Sequence, residues 1–125
     1  MKHLITALLI LFSVPATAAE EPHLAQNPET ELQTDKIYFF AHSLCQSCKD
    51  AYIYLETRHK DLNIPITDMK EHHNLELYKQ CVKKFNIPNQ ELTLPLICMG
   101  NTYVMGWTPQ SPQTFEHALQ QYKTN

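Results

Sequence analysis

The sequence predicts an α/β domain whose elements run β-α-β-α-β-β-α, and three observations carry that expectation. "KIYFFAH", residues 36–42, is a short β-rich run that gives way to apolar residues at helical spacing. The succession recurs when "NIPITDM", 63–69, leads into "NLELYKQCVKKF", 74–85. In "LTLPLICMGNTYVMGW", 92–107, two apolar runs flank Gly100-Asn101, which is a hairpin turn signal.

Each element has its own reason. Residues 36–42 are a short β-rich run, suited to a buried strand. A helix is expected from about Gln46 to His59, with Cys48, Ala51, Tyr52 and Leu55 on one stripe at steps of three and four. In the second strand, Pro65 lacks an N–H, which places the strand at a sheet edge or makes it irregular. The second helix carries Leu75, Tyr78, Val82 and Phe85 on its stripe, with Cys81 beside it, and "NIPNQE" ends it. The last helix opens at "SPQTFEHALQQYK", with Ser111 as N-cap and Pro112 at the first helical position. Phe115, Ala118, Leu119 and Tyr122 make its inner face. Tyr52-Ile53-Tyr54 and Trp107 are expected in core or rim packing, and His72-His73 in solvent. The loops are short, as a compact α/β domain requires.

The chain has 125 residues, enough for one domain. Its first 19 have the layout of a cleaved secretory signal: Lys2 and His3, an apolar run from Leu4 to Val14, then Ala16-Thr17-Ala18-Ala19. The apolar run is shorter than the roughly 20 residues that span a bilayer, so no membrane insertion is expected after cleavage. Residues 20–34 are polar and acidic and contain two prolines, as in a flexible leader, which leaves 35–125 for the folded domain. Without Lys2 there are nine basic and thirteen acidic residues, a net charge of −4. No basic stripe is present, which argues against a nucleic-acid partner. The simple signal is of bacterial type and points to the periplasm, an oxidising compartment that permits disulfides.

All four cysteines, 45, 48, 81 and 98, lie in the expected mature chain. Cys45 falls at a helix start directly after a strand, where unpaired N–H groups and the positive end of the helix dipole favour a thiolate. Cys48 is one turn further on the same face. That order suits Cys45 as exposed nucleophile and Cys48 as the more buried resolving thiol. The same spacing serves zinc, but a zinc site takes about four ligands, and Cys81, Cys98 and His72-His73 do not supply a second pair. A bridge within Cys-x-x-Cys closes almost no loop, so a purely structural role gains little. The rival to redox exchange is a module that binds and delivers copper or zinc through the same thiols. Cys81 and Cys98 are either a second bridge or two small buried hydrophobes. His42, three residues before Cys45, is either a group that stabilises the thiolate or moves a proton, or a solvated residue at a strand end.

Strand, Cys-x-x-Cys, helix and then "TLP" (93–95) ahead of the last two strands together resemble the thioredoxin superfamily, from Lys36 to Tyr122. The resemblance implies a thioredoxin-like fold, a mixed four-stranded sheet flanked by helices, and thiol–disulfide oxidoreductase activity through Cys45-Gln46-Ser47-Cys48. It implies that Pro95 is cis and lies against Cys45. It also implies that the Leu94 backbone pairs with a substrate strand, with His42 flanking that site. "TLPLICMGNTYVMGW" is similar to the glutaredoxin hairpin, with Met105-Gly106 where that family has two glycines. Thr108-Pro109 stand in place of the family's aspartate, and Ser47 in place of its motif tyrosine. These changes make glutathione a poorer expected partner than protein thiols and disulfides, together with a redox partner that resets the pair. No cofactor and no resident metal are expected.

Overall fold

The computed structural model describes residues 29–124, so the expected signal segment, 1–19, and residues 20–28 of the expected leader lie outside the described residues. The elements are β1 (Ile37–Ala41), α1 (Gln46–Arg58), β2 (Ile66–Asp68), α2 (His72–Lys84), β3 (Leu96–Met99), β4 (Thr102–Met105) and α3 (Ser111–Thr124). Single 3-10 turns at Lys60–Leu62 and Asn89–Glu91 fill the two long connections. The sheet order is β2-β1-β3-β4, with β1 and β2 parallel and the other two pairs antiparallel. This is the β-α-β-α-β-β-α arrangement that the sequence predicts.

β1 is one of the two interior strands, with β3. Phe39 and Ala41 face α1 and α3, while Tyr38 and Phe40 face α2. A strand covered on both sides is apolar without alternation, which is why "IYFFA" has no polar position. Phe39 and Phe40 are fully buried, and each contributes about 1.5–3 kcal/mol relative to an exposed side chain. Phe40 also meets Tyr78 of α2 edge to face, with ring centroids 5.6 Å apart. β2 is short, with three residues at the sheet edge directly after Pro65.

The helices depart from the expected stripes in three places. In α1, Cys48, Ala51 and Leu55 are buried but Tyr52 is 41% exposed. Tyr52 lies nearly a quarter-turn past the line of the other three, where it borders an open cavity beside Ile66 and Asp68 of β2. In α2, the buried line is Asn74, Leu77, Tyr78 and Cys81, and the helix starts at His72. Leu75, Val82 and Phe85 are only partly buried. Docking of Cys81 onto β3 sets this rotation and outweighs the bulkier stripe beside it. In α3, Ser111 lies within the first turn and not before it, and its Oγ accepts the Thr108 N–H at 2.7 Å. The inner face of Phe115, Ala118 and Leu119 is as expected.

Cys81 and Cys98 are bonded, tying α2 to the central part of the sheet with Cα atoms 6.5 Å apart. Both are buried. On the other face, Tyr54 donates to Glu116 Oε1 at 2.5 Å and His59 Nε2 meets the same oxygen, joining the end of α1 to α3. Trp107 packs on Tyr54, with ring centroids 5.4 Å apart. Of the leader, residues 29–34 lie against the sheet and α2. Tyr38 donates to Glu29 at 2.6 Å, and Gln80 bonds Leu32 N–H and Thr30 C=O.

Removing the buried bridge should cost stability without touching the exchange site. Cys81 and Cys98 are 17 residues apart in sequence, and a loop of that length gains about 3 kcal/mol from closure. A Cys81→Ala, Cys98→Ala protein should therefore unfold at clearly lower urea, by circular dichroism, while keeping its turnover with insulin. An unchanged urea midpoint would refute the stabilising role.

Glu116 gives a pH-dependent test of the α1–α3 contact. Partial burial raises its pKa, but the hydrogen bonds from Tyr54 and His59 and the charges of His59 and Lys123 outweigh that and hold it below the ordinary 4.5. A depressed folded value stabilises the fold above the unfolded pKa and is lost as pH falls through the folded one. The Tm advantage over Glu116→Gln should thus be present at about pH 5.5 and shrink at about pH 3. An advantage that stays constant across that range would contradict the assignment.

Candidate active site

The site begins where β1 ends. His42 C=O accepts the Cys45 N–H at 3.1 Å, and His42 Nδ1 accepts the Leu44 N–H at 3.1 Å. His42 therefore shapes the turn that delivers Cys45 to the start of α1. His42 also lines a cavity of about 330 Å³ on the Cys48 side, together with Lys49, Tyr52, Ile66 and Asp68.

Cys45 is the N-cap of α1, with φ −97° and ψ 115°. Its Sγ accepts the Cys48 N–H at 3.1 Å, taking one of the donors that a helix start leaves unpaired. A serine or aspartate usually fills this place, so here a sulfur occupies the position of a capping oxygen. Cys45 is half-buried and Cys48 is buried among the residues beneath α1. The two are bonded, with Cα atoms 5.2 Å apart. The bridge thus joins a half-buried cysteine to a buried one.

Opposite Cys45 lies the segment entering β3. The Leu94–Pro95 peptide bond is cis and Pro95 is fully buried. Leu94 O is 3.7 Å from Cys45 Sγ, a contact and not a hydrogen bond while the sulfur is bridged. Two anchors hold this segment. Pro95 C=O accepts the Gly106 N–H at 2.7 Å, and Tyr78 of α2 donates to Thr93 C=O at 2.9 Å. Gly106 has φ +75°, and an added Cβ would sit 3.4 Å from Thr93 Cγ2. The left-handed backbone calls for glycine there.

The structure brings together Cys45, Cys48, Leu94 and Pro95, with His42 on the flank. It adds Ser47, to which the sequence assigns no role of its own. Ser47 Oγ donates to Leu94 O at 3.1 Å and lies 3.3 Å from Cys45 Sγ. The Leu94 carbonyl is accordingly engaged within the chain. The only sequence signal was a hydroxyl inside the Cys-x-x-Cys motif, and its partner is 47 positions away. Thr108 bonds within its own turn, its N–H to Ser111 and its hydroxyl accepting from Gln110 N–H at 3.3 Å. A larger cavity, about 570 Å³, lies among Lys36, Ile64, Thr67 and Tyr122, and contains none of the cysteines. Among the described residues no three His, Cys, Asp or Glu side chains converge into a metal-ligating group. No described helix is long and apolar enough to cross a membrane.

Sheet order, helix placement and a Cys-x-x-Cys bridge at the first turn of α1 make the fold thioredoxin-like. A bridge in that position supports thiol–disulfide redox chemistry, the work of an oxidoreductase. Comparison with protein-family models, curated proteins and solved structures finds no match for the chain.

Proposed function

We propose that the protein is an exported, periplasmic thiol–disulfide oxidoreductase in which Cys45 is the nucleophile and Cys48 the resolving thiol. One observation carries this reading: the Cys45 sulfur caps α1 and adjoins Leu94-Pro95, whereas Cys48 is 3% exposed. Export rests on the signal layout of residues 1–19.

In the reducing direction, the Cys45 thiolate attacks one sulfur of a substrate disulfide. That bond breaks, a mixed disulfide forms at Cys45, and the substrate's other sulfur leaves as a thiolate. Cys48, deprotonated, then attacks Cys45 Sγ. The Cys45–Cys48 bond forms, the mixed disulfide breaks, and the substrate has gained two electrons. The reverse sequence oxidises a dithiol. Leu94 and Pro95 flank the attacked bond, and His42 borders the approach.

Insulin reduction by dithiothreitol tests the roles. Cys45→Ser should bring turnover to background, whereas Cys48→Ser should accumulate mixed disulfides through Cys45, visible on non-reducing gels. Adducts recovered through Cys48 in the Cys45→Ser protein would reverse the assignment.

Protein thiols and disulfides are the preferred substrates and glutathione a poor one. Where the glutaredoxin pattern has an acid to meet the glutathione ammonium, Thr108 is committed to its own turn. With glutathione as sole reductant, turnover of a glutathionylated peptide should be slow beside insulin reduction, and Thr108→Asp should raise it. Efficient glutathione turnover by the unmodified protein would count against this substrate preference.

A further inference from the structure

The exchange sequence leaves one group at the site without a task. The Ser47 hydroxyl carries a single proton and has two acceptors in reach, Leu94 O at 3.1 Å and Cys45 Sγ at 3.3 Å. While Cys45 is bridged its sulfur is neutral and a weak acceptor, and the amide carbonyl takes the proton. Once the bridge opens, Cys45 Sγ becomes an anion at a distance the hydroxyl already spans. A hydrogen bond to an ionised acceptor is about twice as strong as one between neutral groups.

We propose that Ser47 is a redox-responsive donor: its hydroxyl holds the Leu94 carbonyl while the Cys45–Cys48 bridge is closed and turns to the Cys45 thiolate when the bridge is open. The thiolate then has two donors on adjoining sides, the Ser47 O–H and the Cys48 N–H, which already lies 3.1 Å from Cys45 Sγ. The turn also frees the Leu94 carbonyl, beside the attacked bond, in the state that meets a substrate disulfide. This inference rests on the exchange reading above.

The redox step itself balances without Ser47. A partner dithiol, ionised at one sulfur, attacks Cys45 Sγ; the Cys45–Cys48 bond breaks and Cys48 leaves, taking up a proton. The partner's second sulfur, deprotonated, attacks its own first sulfur, and Cys45 departs as a thiolate. Two electrons pass to the bridge, the partner ends as a disulfide, and of the two thiol protons one stays on Cys48 and the other goes to solvent. Ser47 keeps its proton throughout and changes only the acceptor. Its contribution is the difference between a bond to an anion and a bond to a carbonyl. That difference corresponds to roughly tenfold in the acidity of Cys45.

Three measurements on Ser47→Ala, beside Ser47→Thr and the unmodified protein, test this. The first is the pH dependence of Cys45 alkylation in the reduced protein, read by mass spectrometry. Its midpoint should rise by about one pH unit in Ser47→Ala, matching the roughly tenfold loss. The second is equilibration of the bridge against glutathione buffers. The reduced state loses the stronger bond, so the bridge should become about tenfold harder to reduce, roughly 30 mV more negative. Ser47→Thr retains a hydroxyl and should stay within about twofold of the unmodified protein in both measurements. The third is the carbonyl carbon resonance of Leu94, which Ser47→Ala should displace more in the bridged protein than in the reduced one. If Ser47→Ala leaves the alkylation midpoint or the bridge equilibrium unmoved, or displaces the Leu94 resonance equally in both forms, the inference is overturned. None of these readings depends on turnover. A protein that neither reduces insulin nor oxidises a dithiol peptide but shows all three would overturn the exchange reading and leave the hydroxyl switch standing.

Discussion

The site depends on one constraint: the sulfur of Cys45 must stand at the first turn of α1 and accept the Cys48 N–H. A capping oxygen would satisfy that donor equally well and would do no chemistry. A sulfur in the same place receives the partial positive charge of the helix start, which lowers the energy of its anion more than that of its thiol. Structural demand and chemical demand therefore fall on one atom. Everything around the atom serves to keep it there: the His42 carbonyl and ring nitrogen that set the turn, the buried Ala51 and Leu55 that seat α1 on the sheet, and the segment at Leu94-Pro95 that closes the opposite side.

That placement is only as firm as β1. The strand is sandwiched between α1 and α3 on one face and α2 on the other, and it is paired along both edges. Its C-terminal end is the origin of the turn that carries Cys45. Register couples this end to the opposite wall of the site, because Phe40 pairs with Leu96, the residue after Pro95. A shift of β1 relative to β3 would separate the sulfur from Leu94 and turn Phe39 and Phe40 to the wrong faces at once. The apolar cost of the second error protects the geometry of the first.

How much of this is legible in the sequence depends on whether the signal is local. The continuous apolar run of β1, the Gly100-Asn101 turn and the placement of Cys45 at a helix start are all written within a few residues, and the fold class follows from them. The face that α2 presents is not. Leu75, Val82 and Phe85 form as good a stripe as Leu77 and Cys81, and only the partner across the gap, Cys98 on β3, chooses between them. Tyr52 fits the α1 stripe by spacing but is 41% exposed, at the rim of the cavity beside β2. Ser47 is the clearest case. A hydroxyl between two cysteines carries no periodicity and no charge, and its meaning comes from a carbonyl brought to it by tertiary folding.

The two disulfides divide their tasks by surroundings and not by chemistry. Thiol–disulfide exchange requires a thiolate to approach one sulfur along the line of the bond, so access governs which bridge reacts. Cys81 and Cys98 are enclosed between α2 and β3, with Phe40, Leu77 and Leu96 in the same cluster. No incoming thiolate reaches them in the folded state, and the bridge acts on the unfolded chain by shortening it. Cys45 is open on one side and lies beside donors that favour its anion. Cys48 shares its bond but is buried, and on the proposed exchange reading that difference places the attack at Cys45. α2 also anchors the active-site wall through Tyr78 and the Thr93 carbonyl. Tyr78 packs with Phe40 and Leu77 in that cluster, so the wall is held by the seating of α2 as a whole, and the buried bridge adds stability to that seating without setting the geometry of the site.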